Sequence, residues 1–233
     1  MSDAYWKAIN GLQIAIDGPS GSGKGTVAAM LGDEVGLPVL DTGLLYRFTA
    51  WQAEQAGVDV HHEDAVLQQL KCSLKDMNWC SDGIYFLGKD CTSLLRSEGV
   101  GALASVVAAS DTLRQALLDV QRQLATHGCV MDGRDIGSVV LPDAHAKFFL
   151  TASLRERARR RWTQLKQHDE ELSIDAVAAD LKARDQRDSE RTCAPLQHTE
   201  GAIRIDSTVM RIDEVVDRML AVLERRALIQ PRG

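Results

Sequence analysis

The sequence predicts an α/β fold built on a parallel sheet, and three observations carry that prediction. An apolar run, Ile14-Ala15-Ile16, passes through Asp17 into a glycine-rich loop and then a helical pattern. Further short strand-like segments recur at 38–41, 129–132, 147–151 and 203–206, with helical stretches between them. The chain has 233 residues, 45% of them hydrophobic, enough to bury a core carrying one or two insertions. Strands interleaved with helices form parallel sheets whose ligands gather at the strands' carboxyl ends, and Asp17, Asp41 and Asp132 stand at such ends.

Each element follows from its residues. In Gly18-Pro19-Ser20-Gly21-Ser22-Gly23-Lys24-Gly25-Thr26, the glycines at 18, 21 and 23 let successive N–H groups curl around an anion. A helix beginning near Lys24 adds its positive end, and the lysine brings an ammonium for outer phosphates. That makes a nucleoside triphosphate site. The general pattern places Ser or Thr directly after the lysine; here Gly25 intervenes and Thr26 supplies the hydroxyl. Residues 27–35 continue the helix, 38–41 make a short buried strand, and 43–55 read as a second helix ending near Gly57. His61-His62-Glu63-Asp64 reads as a loop leading into the next helix rather than a metal site. Residues 73–92 break the helical rhythm with a hairpin about Cys80-Ser81-Asp82-Gly83, inside an insert spanning 62–109. Arg155, Arg157, Arg159, Arg160 and Arg161 crowd the start of the segment 155–191. Helices this charged are expected to pack poorly into a core and to act as a mobile cover over a polyanionic site.

Composition bounds the partners. A net charge of −6 disfavours general binding to nucleic acid or acidic membranes. The five cysteines lack a CxxC pair and metal-ligand spacing, so free, mostly buried thiols in a reducing compartment are expected. Around Asp3 and Lys7 there is no long apolar segment, so a cytoplasmic protein without signal peptide or membrane span is expected.

The other charges decide which chemistry a bound phosphate enters. A GTPase base-reading motif is excluded, because Asn10 and Asn78 are the only asparagines and neither precedes a lysine. After the strand at 129–132 comes Asp-Gly-Arg-Asp, a cation beside carboxylates, where motor and transporter ATPases carry an acidic pair. Arg47, Arg114, Arg134, Arg184, Arg187 and Arg191 add guanidinium forks suited to bidentate phosphate binding. A phosphate acceptor is already an oxyanion and needs no general base, so alignment and neutralisation suffice. A hydroxyl acceptor would need one, and Asp41, Asp132 or Asp135 are candidates, which keeps small-molecule hydroxyl kinases open; a nucleotide sensor without turnover is the other alternative.

The runs at 16–26, 40–47 (Leu-Asp-Thr-Gly-Leu-Leu-Tyr-Arg), 132–137 (Asp-Gly-Arg-Asp-Ile-Gly) and 184–191 (Arg-Asp-x-Arg-Asp-x-x-Arg) closely resemble bacterial-type cytidylate kinases, in order along the chain. The resemblance implies a P-loop three-layer α/β/α core over 11–61, 110–154 and 192–228, a nucleoside-monophosphate-binding insert at 62–109 and a helical lid at 155–191. It implies a monomer that moves the γ-phosphoryl group of Mg²⁺-ATP onto CMP or dCMP in pyrimidine nucleotide metabolism. Carried over by position, Lys24, Arg134, Arg191 and Asp132 are catalytic, and residues 18–26 (Gly18, Pro19, Ser20, Gly21, Ser22, Gly23, Lys24, Gly25, Thr26) with Arg157 and Arg161 bind ATP. Arg47, Arg134 and Arg191 match acceptor-phosphate ligands, with Thr42 where the family often has serine. Ser105, Arg114 and Asp135 match cytosine readers: arginine donates to N3 and O2 while a carboxylate accepts from the exocyclic amine and repels the O4 of uracil. Asp188 with Arg184 matches the sugar contact, and Thr26 and Asp132 are the candidates to hold Mg²⁺. Without the resemblance, Asp41 reads as a helix cap, Ser105 as an ordinary helix serine and Arg114 as a solvated charge.

Overall fold

The computed structural model describes residues 5–80, 83–166 and 172–232. Ser81 and Asp82 of the expected hairpin turn, residues 167–171 of the expected lid, and Asp3 lie outside the described residues. The chain divides into two compact units, one formed by 1–37 with 127–233 and the other by 38–126.

The first unit holds β1 (Trp6–Ala8), β2 (Gln13–Asp17), α1 (Lys24–Val35), β7 (Cys129–Gly133), β8 (Ala146–Thr151), α7 (Leu154–Leu165), α8 (Ile174–Glu190), β9 (Ile203–Asp206), α9 (Ile212–Arg225) and β10 (Ile229–Pro231). Its strands run parallel in the order β7-β2-β8-β9. Ile14, Ala15 and Ile16 of β2 are fully buried, as a central strand covered on both faces requires. Register places Asp17 opposite Gly133 and Phe149, and Thr151 opposite Asp206. The strands therefore end together, and the loops after β2, β7, β8 and β9 leave from one edge of the sheet. Helices α1 and α9 pack on each other. The apolar face of α9, with Val215, Val216, Met219, Leu220 and Leu223, is buried, and Glu214 reaches back to cap the backbone N–H of Arg211 at 2.7 Å. The antiparallel ribbon of β1 and β10, Trp6 opposite Pro231, was not foreseen from the sequence.

Helices α7 and α8 overturn the expectation that such charged helices pack poorly. Ala158, Val177 and Leu181 form a small buried core flanked by Leu154, Trp162, Leu165 and Leu172, and the Trp162 indole donates to the Leu172 carbonyl at 2.7 Å. The apolar stripe at 154, 158, 162 and 165 has helical spacing but is masked in the sequence by the arginines between. Serines 153 and 173 start the two helices by accepting from Glu156 and Ala176 N–H.

The second unit holds β3 (Val39–Asp41), α2 (Thr42–Gln55), α3 (Glu63–Leu74), β4 (Met77–Cys80), β5 (Gly83–Phe86), β6 (Lys89–Asp90), α4 (Thr92–Leu95), α5 (Glu98–Val107) and α6 (Asp111–Ala125). The β4 and β5 strands pair antiparallel with Trp79 opposite Ile84, and β6 extends the sheet. This compact unit is wider than 62–109, because α2 packs on α5 and α3, and α3 packs on α6. Phe48 sits edge-on to Phe86 at 5.5 Å in its core. Asp41 caps α2 by position only; its carboxylate pairs with Arg96 at 3.3 Å instead of the helix N–H groups. The thiols are less buried than expected: Cys91 and Cys129 are buried, Cys80 and Cys193 half-buried, and Cys72 exposed. Among the described residues no helix is long and apolar enough to cross a membrane.

Gly18 is where the first unit tolerates no side chain. Its φ is +152°, and a Cβ there would fall inside the Leu150 carbonyl of β8. Gly18→Ala is expected to lower unfolding free energy by about 2 kcal/mol or more in urea denaturation; an unchanged midpoint would mean that the strand ends are not packed this closely.

Candidate active site

The phosphate loop is held open from both ends. Asp17 is buried at the end of β2 and its two carboxylate oxygens accept from the Ile136 and Gly137 N–H groups at 2.7 and 2.8 Å. Those amides start a π-helical turn, Ile136–Val140, so one carboxylate joins the loops after β2 and β7. Burial pushes Asp17 up to about 6, against the opposing pull of the two amides. At the other end, Gly23 takes the N-cap of α1 with φ +95° and offers no side chain to its first turn, an arrangement that presents N–H groups to an anion. Lys24 is buried, with its Nζ folded over the loop and donating to the Pro19 carbonyl at 2.9 Å and the Ser22 hydroxyl at 3.5 Å. Burial and then the Arg134 charge pull Lys24 down to about 7, while Asp132, Asp188 and Asp17 pull the other way. Gly25 and Thr26 are exposed on the first turn of α1, and Asp132 is buried near the end of β7.

Ser20 is the meeting point of the arginines. Arg134 donates from Nη2 to the Ser20 hydroxyl at 2.8 Å, from Nε to Asp188 at 2.8 Å and from Nη1 to the Gly133 carbonyl at 3.1 Å. The Asp188 charge keeps Arg134 above its ordinary range despite burial. Arg157, also buried, donates to the Ser20 carbonyl at 2.9 Å, to the Ala152 carbonyl at 3.0 Å and to Asp185 at 2.6 Å. Asp185 in turn accepts from the Ser20 N–H at 3.1 Å. Arg160 donates to the Ser207 hydroxyl at 3.0 Å and the Ser22 carbonyl at 3.4 Å, and pairs with Glu156 at 2.9 Å.

Arg191, at the end of α8, donates to the Ala194 carbonyl at 2.6 Å and meets Asp135 at 3.4 Å; the two side chains are 7% and 6% exposed. The expected phosphate ligand and the expected base reader thus form a buried ion pair. Arg184 pairs with Asp180 at 2.8 Å. Arg161, half-buried, donates to Gln164 at 3.2 Å, while Arg157 one turn earlier donates to the Ser20 carbonyl of the phosphate loop. Asp185, Arg160 and Ser207 were missed by sequence reasoning. Asp185 lies inside the Arg-Asp-x-Arg-Asp-x-x-Arg run, which was a signal for it; Arg160 is indistinguishable from its neighbours until α7 is placed.

In the second unit, Thr42 is buried at the start of α2. Arg47 donates to the Leu95 and Ser97 carbonyls at 2.7 and 2.9 Å, and a Cβ on Gly101 would lie 2.7 Å from its guanidinium. Ser105 donates to the Gly101 carbonyl at 3.1 Å, which sets it one turn along from the Arg47 head. Arg114 is buried rather than solvated: it lies 5.3 Å from the centre of the Tyr46 ring and donates to the Ala108 carbonyl at 3.2 Å.

A family model described as Cytidylate kinase matches residues 14–225. A cytidylate kinase of Pseudomonas putida (strain W619) is 45% identical over 223 residues, covering 93% of this chain and 97% of that protein. Those of Stutzerimonas stutzeri (strain A1501) and Azotobacter vinelandii (strain DJ) are 46% and 43% identical, covering 92% and 95% of this chain and 96% and 99% of theirs. A solved structure of an uncharacterized protein from Eubacterium ventriosum ATCC 27560 is similar in fold, with a TM-score of 0.53 at 13% identity over 91% of this chain and 98% of that one.

The lysine gives a pH signature. Its proton leaves near 7 in the folded chain against 10.5 in the unfolded one, so between those values the unfolded state holds more protons and unfolding free energy rises with pH. Below 7 both states are protonated and the cost of the buried charge is complete. Lys24→Met, without nucleotide, is expected to melt above the wild type at pH 6 and to lose that advantage toward pH 10. A wild-type rise that survives in the variant would assign the titration elsewhere.

Proposed function

The chain belongs to the cytidylate kinase family, and from that premise we propose that it catalyses ATP-dependent phosphorylation of CMP and dCMP, giving ADP with CDP or dCDP. The observation that carries the reading is the cluster at the sheet edge: a phosphate loop, its buried lysine, and arginines already aimed by carboxylates. An acceptor phosphate oxygen attacks the γ-phosphorus, the bond to the β,γ-bridging oxygen breaks, and ADP leaves with that electron pair. The acceptor is ionised near neutral pH, so the residues here align and neutralise without removing a proton.

Lys24 and the N–H groups of 18–26 hold the donor phosphates, which would also return the lysine to its charged form. Arg134 and Arg191, with Arg47, hold the acceptor phosphate, and Thr42 lies beside the acceptor nucleotide. Ser105, Arg114 and Asp135 read cytosine, and Asp188 with Arg184 contacts the sugar. The cover is α7 and α8 within 155–191, with Arg157 and Arg161 toward ATP, and the insert at 62–109 receives the monophosphate. Thr26 and Asp132 fit Mg²⁺ as a pair of hard oxygen donors, one exposed on the first turn of α1 and one buried beside Lys24 and Arg134, whose charges it offsets. When bound, the cation supplies neutralisation of the phosphate oxygens. The enzyme works as a monomer, without nucleic acid or membrane partners.

ADP release from Mg²⁺-ATP is measured with CMP, dCMP, UMP, AMP or shikimate and with no acceptor. Turnover confined to CMP and dCMP is expected; turnover with shikimate alone would replace the reading with a hydroxyl kinase, and none with any acceptor would leave a sensor. Lys24→Ala is expected to cut kcat by about 100-fold or more, and an unchanged kcat would remove the phosphate loop from catalysis. Asp135→Ala is expected to shrink the CMP over UMP ratio of kcat/KM at least about tenfold, the worth of one charged hydrogen bond; a retained ratio would move base reading to other residues.

A further inference from the structure

Ser20 has its N–H, carbonyl and hydroxyl each taken by a side chain from outside the phosphate loop, Asp185, Arg157 and Arg134 respectively, whereas Ser22 spends its N–H on Pro19 and its hydroxyl on Lys24, both within the loop. The Ser20 N–H faces a carboxylate, so this residue's backbone donor is spent on the protein. Asp185 and Arg157 are themselves an ion pair at 2.6 Å, so one carboxylate and one guanidinium grip both sides of a single residue. Its hydroxyl is thereby fixed toward Arg134, whose Nε is fixed by Asp188. Among the described residues three of the five Arg134 N–H groups are spent on Ser20, Asp188 and Gly133, leaving one on each Nη, the pair that a phosphate accepts bidentately.

From this geometry we propose that Ser20 and Asp185 are positioning residues for the acceptor phosphate: the Ser20 side chain belongs to the acceptor half of the reaction although it sits in the donor loop. The path runs from Asp185 and Arg157 through the Ser20 backbone to its hydroxyl, and from there to the Arg134 fork. The inference rests on the functional reading above, in which Arg134 receives the acceptor phosphate.

The test is steady-state kinetics on the full chain, wild type, Ser20→Ala, Ser20→Thr and Asp185→Asn, with each substrate varied at saturation of the other. Ser20→Ala is expected to raise KM for CMP at least about tenfold, the loss of one hydrogen bond to a charged group, while KM for ATP moves less than about twofold. Ser20→Thr restores the hydroxyl and is expected to recover most of the loss, which a packing defect would not allow. Asp185→Asn keeps an acceptor for the Ser20 N–H but drops the charge on Arg157, and is expected to move KM for CMP in the same direction. If that variant does not fold, the two Ser20 variants decide alone. A rise in KM for ATP equal to or larger than that for CMP, or a threonine variant no better than alanine, overturns the proposal. Should the wild type use another monophosphate, the functional reading falls, and the same comparison with that acceptor still decides the inference; no turnover with any monophosphate overturns both.

Discussion

Cations crowded at one edge of a sheet repel each other, and everything around the phosphate loop is arranged to make that crowding tolerable without a ligand. The side chains of Lys24, Arg157 and Arg191 are buried and that of Arg134 is half-buried, where an unpaired charge costs several kcal/mol. Carboxylates are interleaved among them: Asp188 against Arg134, Asp185 against Arg157, Asp135 against Arg191. Lys24 instead donates to a carbonyl and a hydroxyl, and it is the group whose proton is weakened to about 7. Each of these three arginines thus has a carboxylate partner, while Lys24 rests on a carbonyl and a hydroxyl.

The parallel sheet makes this possible. Because β2, β7, β8 and β9 end together, Asp17, Asp132, Arg134, Ala152 and Ser207 emerge side by side although they come from distant parts of the sequence. Asp17 then fastens the β7 loop to the phosphate loop by accepting two backbone N–H hydrogen bonds, and Arg160 fastens the loop after β9 to Ser22. Rigid strand ends with short loops hold hydrogen-bond geometry that free loops would not.

Much of this was legible in the residues. The apolar runs of β2 and β7, the glycine spacing and the acidic strand ends marked the sheet and its candidate functional edge, because a strand buried on both faces leaves a continuous hydrophobic signature. By contrast β9, with Arg204 and Asp206 exposed, showed only as an alternation. Partner choice was not legible. Nothing in the sequence says that Arg157 finds Asp185, or that Asp135 finds Arg191, since those pairings depend on where α7 and α8 come to rest. Arg114 misled for a related reason: on α6 alone it reads as a solvated charge, and only the Tyr46 ring from α2 gives it a place indoors. The β1 and β10 ribbon escaped because two three-residue strands at opposite ends of the chain carry no periodic signal of their own.

The central strand pair also has a bearing on how the chain reaches this state. Ile14 of β2 stands in register with Val130 of β7, and the whole of the second unit, 38–126, is spliced between them. Closing so long a loop in a disordered chain costs about 4 kcal/mol in entropy, and each halving of its effective length returns about 0.6 kcal/mol. A second unit that collapses on its own local helices and hairpin shortens the loop before the sheet must zip. During synthesis, β2 and the phosphate loop leave the ribosome well ahead of the strand that completes them, so an apolar strand waits exposed until the inserted unit has been made.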